Sequence, residues 1–446
     1  MRKQEADTIP GSILRAGDYR PRNHPLRAAL TNEVHARPSI ALAAPLRGSM
    51  LAMLSGEAAG DTERAQLERL CEWAGVPRPA LDATHYYAFM GSFHLRWERH
   101  TEFSTWTILR PGFFVDPFAE PALHALPADW IAGLPGELLV GIHIAVLGPA
   151  QAPPSPGILA SVFGSEQYVG SNLVDELATV WTDFRIHGDG FSRILLADHG
   201  MSPGHTGRVA QRLLEIETYR MLALLALPLA RSVLPRIGEI ERELASLIAS
   251  FAQLATLDEE AAALARLTRF AARNEQIAAE TTYRFAAARA YYELVERRIS
   301  ELRETRVDGM QTIGEFMERR LLPAMRTCEA VDRRCETLSR HIARAGGLLR
   351  TRVEVALEGK NAELLRSMDQ RADVQLRLQH AVEGLSVVAI SYYSLALVSH
   401  ALQAAHAAGL PINPEIADGI AIPVILGAVW LGLLRIRKVI GHGHRH

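Results

Sequence analysis

Residues 384–405 read GLSVVAISYYSLALVSHALQAA, and residues 419–434 read GIAIPVILGAVWLGLL. From Leu385 to Leu434 there is no Lys or Arg, in a chain otherwise rich in arginine; Arg435, Arg437 and Lys438 follow at once. A hydrocarbon core about 30 Å thick requires about 20 apolar residues at about 1.5 Å each. The first run has 22 residues and meets that length; the second has 16, or 19 if it begins at Ile416. Together they predict a two-helix transmembrane hairpin over residues 383–438, with spans at about 384–405 and 416–434. Pro423 and Gly427 do not oppose it, because membrane helices tolerate both. Tyr392, Tyr393, His400 and Gln403 are polar for a span, so a helical hairpin buried in a soluble core is the competing reading.

Charge gives the hairpin a direction. Arg366, Arg371 and Arg377 precede the first run, a basic cluster with Arg445 follows the second, and the connecting loop carries only Glu415 and Asp418. The positive-inside tendency then puts both termini in the cytoplasm and the loop outside, with the lipid bilayer as the partner of the hairpin.

The remainder divides by composition near residue 200. Residues 1–200 hold nearly all the strand-like runs and are expected to form a cytosolic α+β domain; residues 201–382 are rich in Ala, Leu, Glu and Arg and predict a helical stalk or bundle; residues 439–446 are a His-rich cytosolic tail. A chain of 446 residues has room for two or three folding units. Its formal charge of −2 leaves no electrostatic footprint for nucleic acid. Three cysteines, Cys71, Cys328 and Cys335, argue against a disulfide framework and fit a reducing compartment. Positive charges at the N-terminus have no apolar stretch behind them, so no signal peptide is expected.

Within the first part, Ser49 to Leu54 and Leu138 to Leu147 have strand length. His85 to Trp97 places Tyr87, Phe89, Phe93, Leu95 and Trp97 on one side, and Phe103 to Leu109 is expected to return beside it. Thr179 to Ile186 and Phe191 to Leu196 flank His187-Gly188-Asp189-Gly190, a hairpin turn in which glycine supplies positive φ. Neighbouring hairpins predict an antiparallel or mixed sheet, covered by helices at 62–74 and 120–132, with residues 151–157 as a loop. In the second part Ser202-Pro203 starts a helix. Pro228 and Pro235 are expected to kink or break it, Thr256-Leu257-Asp258-Glu259 restarts it as a capping box, and Asp308-Gly309 and Pro323 interrupt again. Val331, Cys335, Leu338, Ile342, Ala345 and Leu349 form a short heptad seam, suited to packing within the chain or between subunits.

Three polar strings could carry chemistry. In Asn32-Glu33-Val34-His35-Ala36-Arg37-Pro38, an extended backbone would put Glu33, His35 and Arg37 on one face, fit to bind an anion or orient a proton-transfer group. The same residues also suit a salt-bridged segment pinned to the surface. In Trp97-Glu98-Arg99-His100-Thr101-Glu102-Phe103, a strand would project Glu98, His100 and Glu102 together as possible metal ligands, whereas a hairpin turn would scatter them. On a helix, Arg208, Arg212, Glu215, Glu217, Tyr219 and Arg220 form an ion-pair cluster, with Arg212 and Glu215 spaced to pair. Cys328 and Cys335 fit buried thiols better than metal ligands. His442, His444 and His446 could bind metal as an exposed tract, but a solvated end explains them equally. Gly-x-Ser-x-Gly, a P-loop, a dinucleotide fingerprint and His-Glu-x-x-His are missing, and no cofactor is indicated.

The first two strings, with residues 211–220 (QRLLEIETYR) and 382–386 (VEGLS), resemble a bacterial family of unknown function described as predicted membrane-anchored proteins. The likeness covers roughly residues 20–440. It implies a C-terminal anchor in the bacterial inner membrane and no established activity or catalytic residues. The layout is also similar to the magnesium and cobalt channel family, in which a cytosolic α/β domain leads through long helices to two C-terminal spans. That family's Gly-Met-Asn filter is missing, and residues 407–413 read AAGLPIN instead. The leading expectation is therefore a cytoplasm-facing, membrane-anchored scaffold or ligand sensor, possible as a homo-oligomer, without conventional enzyme activity. Its pocket residues would be Asn32, Glu33, His35, Arg37, Glu98, His100 and Glu102. A divalent-cation transporter, with Asn413, Glu415 and Asp418 attracting cations at the outer mouth, is the alternative; a metal-assisted hydrolase is the third.

Overall fold

Alternation along short strands and stripes along long helices generate the architecture of this computed structural model, which describes residues 24–27, 30–31, 40–165, 167–408 and 414–441. In chain order the elements begin with β1 (Leu46–Leu54), α1 (Gly60–Ala74), β2 (His85–Phe89), β3 (His94–Arg99) and β4 (Phe103–Pro111). Then come α2 (Ala128–Ala132), β5 (Glu137–Leu147), α3 (Pro156–Phe163), β6 (Val169–Leu173), β7 (Ala178–Thr182) and β8 (Ser192–Asp198). The helical part holds α4 (Pro203–Leu224), α5 (Ala226–Ser250), α6 (Leu257–Leu302), the two-residue β9 (Thr305–Arg306), α7 (Ile313–Arg320), α8 (Leu322–Ala407) and α9 (Pro414–Gly441).

Among the described residues the strands form one nine-stranded sheet, in the order β2-β3-β4-β1-β5-β8-β7-β6-β9. β5 and β8 pair in parallel and the other neighbours are antiparallel, so the sheet is mixed and the class is α+β. One face carries two apolar clusters, with Arg47, Ser49, His143 and Arg193 between them. Leu51, Leu95, Trp97, Trp106 and Ile108 pack there under Leu67, Leu70 and Cys71 of α1 and Trp130 of α2. Farther along, Leu159, Val162 and Phe163 of α3 cover Ala145, Leu147, Leu195 and Ala197. The register carries alternate residues to the opposite face, and that face changes character across the sheet. At β5 and β8 it is aliphatic, with Ile142, Ile144, Ile194 and Leu196 buried. At β3 and β4 it presents Arg96, Glu98, Thr105 and Thr107. That polar end is where the candidate site lies.

Several expectations need correction. His85 to Trp97 is a hairpin, not one strand: Gly91 turns with φ +86°, and Met90 N–H donates to Phe93 O at 2.7 Å. Tyr87 and Phe89 are consequently exposed while Leu95 and Trp97 are buried. The strand begun at Thr179 ends by Thr182. Residues 156–157 open α3, because Ser155 accepts the Ile158 N–H and Pro156 fits the first turn. Pro228 falls in the first turn of α5, where its missing N–H costs nothing. Pro235 lies inside α5, yet the helix continues because its stripe of Ala226, Ala230, Val233, Ile237, Ile240, Leu244 and Leu247 is buried throughout. The chain breaks instead at Leu225. The capping box at Thr256 forms, with Thr256 Oγ1 and Glu259 each accepting the other's N–H. A second box, Thr312 with Glu315, starts α7. The seam from Val331 to Leu349 is buried within the chain, and Asn274 Nδ2 donates to Cys335 O at 3.1 Å. All three cysteines are free and buried.

The chain divides into two compact units, Met1–Ala252 with Arg266–Arg344, and Gln253–Ala265 with Ala345–His446. In the first, α5 is tied to α6 by Arg273 with Glu239 and Glu243, and to α8 by Arg334 with Glu241. In the second, Arg352 reaches Glu260 at 3.4 Å and Leu254 O at 3.2 Å, and Leu349 is buried. Among the described residues, two helical stretches are long and apolar enough to cross a membrane, Pro203–Gln253 and Ile313–Ala407. In the first, 33% of the apolar window is buried in the protein; in the second, none is. Gly419–Gly432 is apolar but shorter.

Candidate functional site

Strand alternation that buries Leu95 and Trp97 on one face sends Arg96 and Glu98 to the other, and from β4 it sends Thr105 and Thr107 beside them. A pocket of about 270 Å³ lies against this patch. Its opposite wall is α4, through Gln211, Glu215, Thr218 and Tyr219, with Arg298 of α6 beside them. Ile40 and Leu42 close a further side. Leu42 N–H donates to Pro203 O at 2.8 Å, and the carbonyl of Ile40 comes so close to Gly207 that a Cβ there would stand 1.7 Å from it. Only glycine permits that approach.

Each charge facing the pocket has a partner. Arg96 Nη2 donates to Glu98 Oε1 at 2.7 Å, and both side chains are nearly buried. Gln211 Nε2 donates to Glu215 Oε1 at 2.7 Å, and Arg298 Nε donates to Glu215 Oε2. Behind them Glu301 accepts from Arg298 Nη1 and from Arg212 Nε, each at 3.0 Å. Burial raises the Glu301 carboxyl, but Arg298 and Arg212 outweigh it and hold the group below the usual carboxylate range. Burial likewise opposes the Arg298 charge, and Glu215 and Glu301 more than offset it. The pairing of Arg212 with Glu215 expected along the helix is not made. Both reach across to α6, where partly buried opposite charges outcompete a neighbour three residues away on the same helix. Arg220 does pair within α4, with both oxygens of Glu217. Arg208 is exposed.

The second string is split by its hairpin turn. Glu98 and His100 line the pocket, and the His100 ring stacks on Phe103 at 4.2 Å. Glu102 turns to a different set: it accepts from Arg284 at 3.2 and 2.6 Å and from Tyr291 Oη at 2.7 Å. Burial, and then this bond to Glu102, push the Tyr291 phenol well above its ordinary pKa. Tyr291 also stacks on Tyr219 at 5.8 Å, so Glu102 braces the wall on which Tyr219 sits. Among the described residues no group of three or more His, Cys, Asp or Glu is placed to hold a metal ion.

Asn32, Glu33, His35 and Arg37 lie outside the described residues, as do Asn413, His442, His444 and His446; Glu415 and Asp418 fall on α9 with their side chains outside the description. The structure thus brings together parts of the second and third strings: Glu98 and His100 with Glu215 and Tyr219. Sequence reading missed Arg96 and Arg298. Arg96 was legible, being two residues before Glu98 on the same strand face; Arg298 had no local signal, because only tertiary packing carries it to Glu215.

A Ser–His pair lies elsewhere in the sheet. Ser49 Oγ accepts the Leu123 N–H at 3.1 Å and is hydrogen-bonded to His143 Nδ1 at 2.9 Å. Burial, outweighing the nearby Asp189, pushes His143 down to about 4. With Ser49 and His143 0% and 3% exposed, the pair has no access to a substrate and acts in the core.

A mixed α+β protein with a long helical region and a pocket under its first long helix is the class defined here. The chain belongs to the family described as Protein of unknown function (DUF3422), whose model matches residues 22–440. No curated protein and no solved structure matches it.

Proposed function

We propose that the protein is a membrane-anchored ligand sensor that faces the cytoplasm, in a bacterial inner membrane, and works without conventional enzyme activity. The carrying observation is the convergence of Arg96, Glu98 and His100 with Gln211, Glu215, Tyr219 and Arg298 around one cavity. Two arginines face two carboxylates there, so the lining offers both signs without excess of either. Such a site suits a small molecule that is neutral or zwitterionic, held by donors and acceptors together. The anchor reading draws on residues 384–405, where no side chain of the apolar window is buried: Leu385 is 73% and Leu397 72% exposed. An apolar surface of this extent implies a partner, and lipid fits its length. The basic residues flanking the hairpin support termini on the cytoplasmic side, and assembly into homo-oligomers belongs to the same proposal.

The test is purification of the full chain in mild detergent, followed by native mass spectrometry of the complex and of co-purifying small molecules. A small-molecule adduct that disappears in Glu98→Gln and Glu215→Gln supports the sensor. An empty pocket in cells grown on rich medium, or a full chain that is dispersed and folded without detergent, sinks it.

A further inference from the structure

A second cavity, of about 520 Å³, opens elsewhere in the first unit and differs in sign from the pocket under α4. Arg185, Arg220, Arg319 and Arg320 line it, and Asp183 is the one carboxylate among the described lining residues. One oxygen of that carboxylate is already engaged, and the other makes no hydrogen bond among the described residues. Its side chain is fully buried, His187 Nε2 lies 3.2 Å from Oδ2, and Oδ1 accepts the Arg185 N–H at 3.1 Å.

Two of the arginines are held in place. Arg220 is gripped by Glu217 at 2.8 and 2.6 Å and lies 5.5 Å over the Phe184 ring; Arg185 donates to Gln167 Oε1 at 2.9 Å. The other two end α7, are exposed, and enter no ion pair among the described residues. Glu315, one turn earlier, is paired with Arg306. Positive charge is therefore in excess, although Arg319 is near enough to Glu315 to help the Thr312 N–H and Arg306 lower its carboxyl pKa. The backbone supplies an independent sign. Phe184 holds φ +54°, a left-handed conformation that is unusual for an aromatic residue, and strain of this kind gathers at ligand sites. That turn lets Asp183 point into the core while Phe184 stacks on Phe316 of α7 at 4.8 Å.

We propose that this cavity binds a small soluble molecule carrying two or more phosphate charges. Guanidinium forks match phosphate oxygens two at a time, and the volume lies in the range of small-molecule sites, larger than a lone phosphate fills. Arg220, held by Glu217, provides the floor, and the exposed Arg185, Arg319 and Arg320 supply the other guanidinium forks. The proposal is independent of the sensor reading of the other pocket.

The test is calorimetric titration of the full chain in detergent with inorganic pyrophosphate, and with sulfate at equal ionic strength. Pyrophosphate is expected to bind saturably, at least tenfold tighter than sulfate. The Arg319→Gln/Arg320→Gln double variant is expected to weaken it at least tenfold with an unchanged melting temperature without ligand. Arg185→Gln reads the same loss from the other wall, and Arg340→Gln, exposed on α8, leaves binding intact. If pyrophosphate gives no saturable heat, binds no tighter than sulfate, or binds the double variant and Arg185→Gln as tightly as the parent, the cavity is not a phosphate site.

Discussion

Helix α5 and residues 384–405 of α8 are both apolar, and the protein treats them in opposite ways. In α5 the apolar residues repeat at steps of four and three, and Val233, Ile237 and Ile240 are fully buried. Its other face carries Arg236, Glu239, Glu241 and Glu243, which pair with α6 and α8. Residues 384–405 have apolar side chains all around the helix. Leu385, Val388, Tyr392, Tyr393 and Leu397 are exposed on successive turns. A helix with one stripe is made for a protein partner, and a helix apolar on every side is made for an apolar medium. Mean hydropathy does not tell the two apart; the distribution of charge around the axis does.

The strongest way to break this contrast is to remove the tail. A chain ending at residue 382 is expected to leave the membrane fraction and remain folded, as read by fractionation and circular dichroism. If it stays with the membrane, the anchor lies elsewhere. Core truncation sharpens the contrast from the other side. Leu244→Ala in α5 should cost roughly 2–5 kcal/mol in denaturant unfolding, whereas Leu385→Ala should leave the unfolding of the body unchanged.

Acid should also separate body from tail. His143 is neutral in the folded core until pH falls to about 4, while the unfolded chain takes up that proton from about 6.5 downward. The folded state binds fewer protons in that window, so stability rises with pH across it and falls on acidification, by about 3 kcal/mol in total. Denaturation measured from pH 7 to 4 should show this slope, and His143→Gln should flatten it. The smallest effect belongs to a helix start: Thr312→Ala removes half of a capping box and should cost about 1 kcal/mol. A larger loss would mean that α7 nucleates more of the fold than its eight residues suggest.

Legibility in the sequence follows the range of the forces involved. Strands β1, β5 and the β7–β8 hairpin are readable because apolar length and the glycine-bearing turn at Gly190 are local properties. The two capping patterns differ instructively: the box at Thr256 is plain in the sequence, whereas the one at Thr312, with the same spacing, is masked by the chain break that Asp308-Gly309 signals just before it. The stripe in α5 is obscured by Pro228 and Pro235, whose local penalty is smaller than the burial it would have to defeat. Half of the pocket is visible as strings around Glu98 and Glu215. Their meeting is not, since Arg298 reaches Glu215 across 83 positions and nothing near either residue announces the other.

Strand β3 has opposite chemistry on its two sides, with Leu95 and Trp97 against the tryptophan-rich layer and Arg96 and Glu98 away from it. Sliding it by a single position along β4 would drive a guanidinium and a carboxylate into the driest part of the protein and put an indole where they had been. Misalignment is thus penalised at every rung simultaneously. The charged rim of the pocket also acts as the proofreading edge of the hairpin during folding.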